Sequence, residues 1–142
     1  MSAGLFEYRG TAAGLNEPLI RKVILSFYEK VRRDPLLGPI FEEAIGDKWD
    51  SHIERIILFW LTATGLQRGY DGRNFMPAHL RHSSIHPNQL PRWLELFRQT
   101  AAEHCAPEAA RALIDIAQRM AQTLQIGLTR EAKTRGGDQR TF

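Results

Sequence analysis

The sequence predicts an all-α protein, and three observations carry that expectation. Apolar residues recur three and four positions apart along most of the chain, and no run alternates for long enough to form a sheet. Asn, Asp and Pro stand where these periodic stretches begin, and Gly stands where they end. A poorly helical connector of about 25 residues separates the second long helix from the third, longer than a plain four-helix bundle needs, and loops of that length are usually functional. It holds His79, His82 and His86, three of the five histidines.

The elements follow in order. Residues 1–15 are small and glycine-containing without a period, and read as a loose lead-in. Asn16 caps the first helix, with Glu17 and Pro18 in its opening turn. Leu19, Ile20, Val23, Ile24, Phe27, Tyr28 and Val31 supply its apolar spacing. Phe27 and Tyr28 are neighbours and diverge by about 100°, so one can serve the core while the other faces a cavity. Asp34-Pro35 opens a single turn, which Gly38-Pro39 is expected to end, leaving Phe41 on a tight corner.

The second long helix is expected to start at Asp47 as its cap, with Asp50 in the first turn. Trp49, Ile53, Ile56, Ile57 and Trp60 form its apolar stripe, and His52 lies along that stripe. A polar ring on a buried stripe needs a partner or a function. Gly65 and Gly69 end this helix. Pro91 opens the third, with Trp93, Leu94, Phe97 and Ala101 inward. Pro107-Glu108 starts the last, with Leu113, Ile116, Ala117, Met120 and Leu124 as its inner stripe and Gly127 as its stop. The spans are about 17–31, 47–64, 90–104 and 107–127, uncertain at the ends by roughly two to four residues. Residues 1–16 form the lead-in and 17–128 the folded domain; the polar stretch 129–142 is expected to be a disordered tail.

Composition narrows the class of function. A chain of 142 residues forms one domain with a real core. The net charge is +3, with much of the basic excess in Arg130, Lys133, Arg135 and Arg140. The aromatics fall at core spacings and not on a basic face, which speaks against nucleic acid as a partner. The longest apolar run, Ile56 to Ala63, is too short to span a bilayer, and no membrane association is expected. Met1 to Arg9 has no secretory pattern, and the single Cys105 makes no internal disulfide. Both suit a cytoplasmic location.

His79 sits on the short apolar turn Phe75-Met76-Pro77-Ala78-His79-Leu80, where a neutral imidazole can face inward and bind a metal through one ring nitrogen. A lone histidine there is more often a capped residue at the edge of the core, so the case rests on the whole set of aromatics. His82 is the rival ligand in a more polar setting. His79, His82 and His86 could together bind zinc, but Pro87 and two serines interrupt the helix this would need. Cys105 precedes a helix junction and reads as a small buried residue.

Five motifs recur in order. They are Phe27-Tyr28-Glu29-Lys30-Val31, Leu37-Gly38-Pro39-Ile40-Phe41, Trp49 followed by His52 and Phe59-Trp60, His79-Leu80, and Trp93-Leu94-Glu95-Leu96-Phe97. Over residues 17–127 this order resembles the truncated haemoglobins, and the absence of the glycine pairs of their first two groups fits the third group. The resemblance implies a truncated globin, a two-over-two helical sandwich around one haem b. It implies His79 as the proximal ligand on a much reduced helix. It also implies a distal side of Tyr28, His52, Ile56 and Trp93, with Phe41 packed against the porphyrin near its edge.

The residues read on their own agree. Phe27, Phe41, Ile56, Trp60, Trp93 and Phe97 can line a deep apolar slot. A phenol, an imidazole and an indole N–H can stabilise charge on a bound diatomic ligand. Arg73, Arg81 and His82 are near His79 in sequence and could pair with the porphyrin carboxylates, though no spacing rule selects one. The function implied is binding of oxygen, carbon monoxide and nitric oxide at a five-coordinate iron. Peroxidase or nitric-oxide-consuming turnover, with a reductase as partner, is the enzymatic alternative. A cofactor-free helical interaction module is the alternative from another class.

Overall fold

Ile20, Val23, Ile24, Phe27 and Val31 are all at most 1% exposed, and they form one continuous stripe on the first helix. In the computed structural model of the chain, residues 13–139 are described, except residue 83. The expected loose lead-in lies largely outside the described residues, but Leu15 is buried in the core. Among the described residues there is no strand.

Helix α1 (Glu17–Arg33) begins at Asn16, whose side chain accepts the Leu19 N–H at 2.9 Å. Helix α2 (Leu37–Ile45) corrects the expected stop at Gly38-Pro39, because both residues lie inside its first turn. Proline needs no backbone donor there. Asp34 supplies the cap: its Oδ2 accepts the N–H groups of Leu36 at 3.1 Å and Leu37 at 3.0 Å. A Cβ on Gly38 would stand 2.7 Å from the Arg32 carbonyl oxygen, so glycine is needed where α2 crosses the end of α1.

Helix α3 (Trp49–Ala63) starts after Lys48 without a side-chain cap, so Asp47 does not play its expected part. Its end is closed by Thr64, fully buried, whose hydroxyl donates to the Trp60 carbonyl at 2.7 Å. Gly65 follows at φ 76°, a left-handed position that suits glycine. The connector contains a 3-10 turn (Gly72–Asn74) capped by Asp71 and the six-residue helix α4 (Phe75–Leu80). A second 3-10 turn (Pro87–Gln89) leads into α5 (Leu90–His104).

Helix α6 (Pro107–Gln139) runs through Gly127, past the expected stop. Residues 129–139 are therefore helical, against the expectation of a disordered tail, and Leu128 is buried. The end of that expected tail, residues 140–142, lies outside the described residues.

Helix α1 packs on α2, α3 and α5, α5 packs on α6, and α4 rests on α6. This is the two-over-two truncated globin arrangement, with α1 and α3 as one pair and α5 and α6 as the other. The aromatic centre joins the pairs. Phe97 stacks on Trp60 with ring centres 5.0 Å apart and takes the edge of Phe27 at 5.2 Å. At the α1–α5 seam, Lys30 binds Thr100 and Glu103, and His104 Nε2 lies 3.1 Å from the Ser26 hydroxyl.

Candidate functional site

Helix α4 has fewer than two turns and no fully buried residue. It holds His79 half-buried, with Nδ1 2.7 Å from the Phe75 carbonyl oxygen. A carbonyl can only accept, so Nδ1 carries the hydrogen and Nε2 keeps its lone pair. Burial pushes the His79 pKa down, against the opposing hydrogen bond to Phe75. The ring is thus a neutral, oriented nitrogen donor, the state in which histidine binds a metal. The Phe75 ring lies 4.7 Å from the imidazole and stacks on Phe59 of α3 at 6.1 Å.

His86 and Cys105 are placed otherwise. The His86 backbone N–H donates to Gln89 Oε1 at 3.0 Å, so His86 serves the turn before α5. Among the described residues no three His, Cys, Asp or Glu side chains converge, so the three-histidine zinc arrangement is not formed. Cys105 is half-buried, and burial pushes its thiol pKa up, away from a thiolate.

Across from α4 lies a group of aromatic and polar side chains from four helices. Tyr28 of α1 is 7% exposed. The Trp93 indole of α5 lies near its hydroxyl and acts on it as a donor, a smaller influence than burial. Burial pushes the Tyr28 pKa up, so the phenol keeps its proton and has one O–H left to donate. Phe41 of α2 lies 5.9 Å from the Tyr28 ring and is stacked with Trp49 at 6.4 Å. Trp49 meets the edge of His52 at 6.1 Å.

His52 is held down to about 4, first by burial and then by the nearby positive charges of Arg55 and His79. It is therefore neutral at physiological pH. The His79 ring of α4 is thus within electrostatic reach of His52 on α3. Ile53, Ile56, Phe59, Phe75, Met76 and Leu80 of α3 and α4 are only partly buried, although all are strongly apolar.

Two sequence-predicted residues fall elsewhere. Trp60 is 2% exposed and stacked on Phe97, so it belongs to the core behind the slot. Arg73 points into solvent, with its side chain 91% exposed, and forks onto Asp71 at 2.7 Å. Arg81 is exposed just beyond α4. Sequence reasoning missed Arg55, which sits near both His52 and Tyr70 and has no ion pair of its own among the described residues. Its position three residues after His52 on an α-helix could have pointed to it. Trp49 was counted as core, yet it closes the corner of this group. Its indole N–H is buried without an acceptor, and Arg32 lies 4.3 Å over its ring.

The donor set fits a haem. Helix α4 supplies one neutral imidazole, α3 and α4 carry partly buried apolar side chains, and α1, α3 and α5 supply a phenol, an imidazole and an indole. The fold defines a truncated globin. The chain is 32% identical over 114 residues to the group 3 truncated haemoglobin ctb of Campylobacter jejuni, covering 78% of this chain and 89% of that protein. The crystal structure of the group III truncated haemoglobin from Campylobacter jejuni superposes with a TM-score of 0.75 at 32% identity, over 80% of this chain and 91% of the other. No protein-family model matches the chain. The chain belongs to the truncated haemoglobins of the third group.

Proposed function

We propose that the protein binds one haem b in the slot between α3 and α4, with His79 Nε2 as its only protein ligand, and captures oxygen and related diatomic gases on the opposite face. When bound, the haem supplies an iron centre with one open coordination position. The observation that carries the reading is the His79 ring: Nδ1 is spent on Phe75, Nε2 is free, and the imidazole is neutral. Phe41 and Ile56 give apolar contact at the edge and on the distal face. Arg55 is better placed than Arg73 to meet a carboxylate at the mouth, because Arg73 is already paired with Asp71.

On the distal side Tyr28 offers its O–H to a ligand that gains negative charge, with the Trp93 indole near it as a second donor. His52, neutral and half-buried, stands between the slot and solvent. Among the described residues no helix is long and apolar enough to cross a membrane. The visible spectrum of the purified protein, brought to saturation with added hemin, tests the reading. A Soret band saturating at one haem per chain is expected. Hemin that stays in its free spectral form would overturn it in favour of a cofactor-free helical module.

A further inference from the structure

Gly127 lies inside α6 with more than five turns of helix before it and about three after. Glycine is unfavourable in a helix interior, so a glycine kept there needs a packing reason. The reason is Met76. A Cβ on Gly127 would stand 2.6 Å from Met76 Sδ and 3.1 Å from its Cε, inside normal contact distance. Met76 is the second residue of α4, and α4 rests on α6. His79 follows three residues later, on a neighbouring face of the same short helix.

We propose that Gly127 is a notch in α6 that seats Met76 and thereby sets the height and tilt of the helix bearing His79; it is a positioning residue for the axial nitrogen. This rests on the reading of His79 as the iron ligand. Helix α4 is too short to hold itself, since an isolated helix under about 12 residues is marginal in water. Its place is therefore fixed by what it sits on. Filling the notch lifts Met76 and carries His79 with it.

The test uses Gly127→Leu, which fills the notch, and Gly127→Leu combined with Met76→Ala, which makes room again. Both are studied in the protein as purified, by hydrogen exchange of the α4 amides and by the iron–histidine stretching band in resonance Raman. The band is first assigned by its loss in His79→Gly. In Gly127→Leu we expect α4 exchange to rise about tenfold with α1 exchange unchanged, the sign of a local opening. The iron–histidine band should shift, and both observables should return toward wild type in the double variant.

Wild-type exchange and band in Gly127→Leu would overturn the inference, because Met76 then merely swings aside. So would raised exchange with an unmoved band, or changes that the double variant does not reverse. If His79→Gly keeps the band, the ligand assignment itself fails, and the α4 exchange still decides whether the notch exists.

Discussion

Replacing Tyr28 with Phe removes one oxygen and leaves the ring contacts with Phe27, Phe41 and Trp49 in place. Tyr28 is buried and keeps its proton, so its O–H is available to a bound ligand. A hydrogen bond to a charged acceptor contributes about 1.5–3 kcal/mol. Each 1.4 kcal/mol is a factor of ten, so oxygen should leave roughly ten to a hundred times faster. The Trp93 N–H nearby can donate in its place and recover part of the effect. The single variant should thus lie toward the lower end, and Tyr28→Phe with Trp93→Phe should be faster still. Bound carbon monoxide carries less charge, and its release should change much less. Stopped-flow oxygen release and carbon monoxide exchange give the two rates. Equal acceleration of both gases, or no change in either, would make Tyr28 a packing residue and refute the reasoning.

Asp34 is a buried carboxylate that caps α2 and forks onto Arg92 at 2.7 and 2.8 Å; Asp34→Ala should lower stability in urea by about 2–3 kcal/mol, the sum of a lost cap and a lost charge-assisted bond. Burial pushes the Asp34 pKa up, but Arg92 and the two backbone N–H groups outweigh it and hold it below the usual range. Its contribution is then present above about pH 4 and lost as the pH falls through the lower folded value, so the difference between wild type and variant should shrink in acid; a constant difference would argue against it. His52, held near 4, should leave carbon monoxide association flat around neutral pH with a change centred near pH 4, and His52→Leu should abolish that change; a midpoint near the ordinary histidine value would contradict the burial described. Ending the chain after Lys133 should leave the melting temperature unchanged, whereas ending it after Gly127 removes the buried Leu128 and should lower it; equal melting temperatures would show that Leu128 contributes nothing.

The periodic parts of the chain were legible because burial on one helix face imposes a spacing. The stripes of α1 and α5 are read directly from it. Other features were hidden because they depend on crossings between segments distant in sequence. Gly38 and Gly127 both look like stops, yet one lets α2 cross the α1 terminus and the other receives Met76. Asp34 reads as a local turn residue until Arg92 arrives from 58 positions away. Arg73 looks close to His79 along the chain, but its own loop supplies Asp71, while Arg55 on α3 is the cation near His52. Trp60 has the same spacing as a slot residue, and only the facing Phe97 shows that it turns inward.

The central claim is that one histidine nitrogen, His79 Nε2, holds the iron. It is tested most directly by His79→Gly with added imidazole, followed by resonance Raman of the ferrous protein. The account predicts that the iron–histidine band vanishes in the variant. A band that shifts with isotopic labelling of the imidazole should then appear when imidazole is supplied, while His82→Gly keeps the wild-type band throughout. An unchanged band in His79→Gly, or its loss in His82→Gly, would contradict the account.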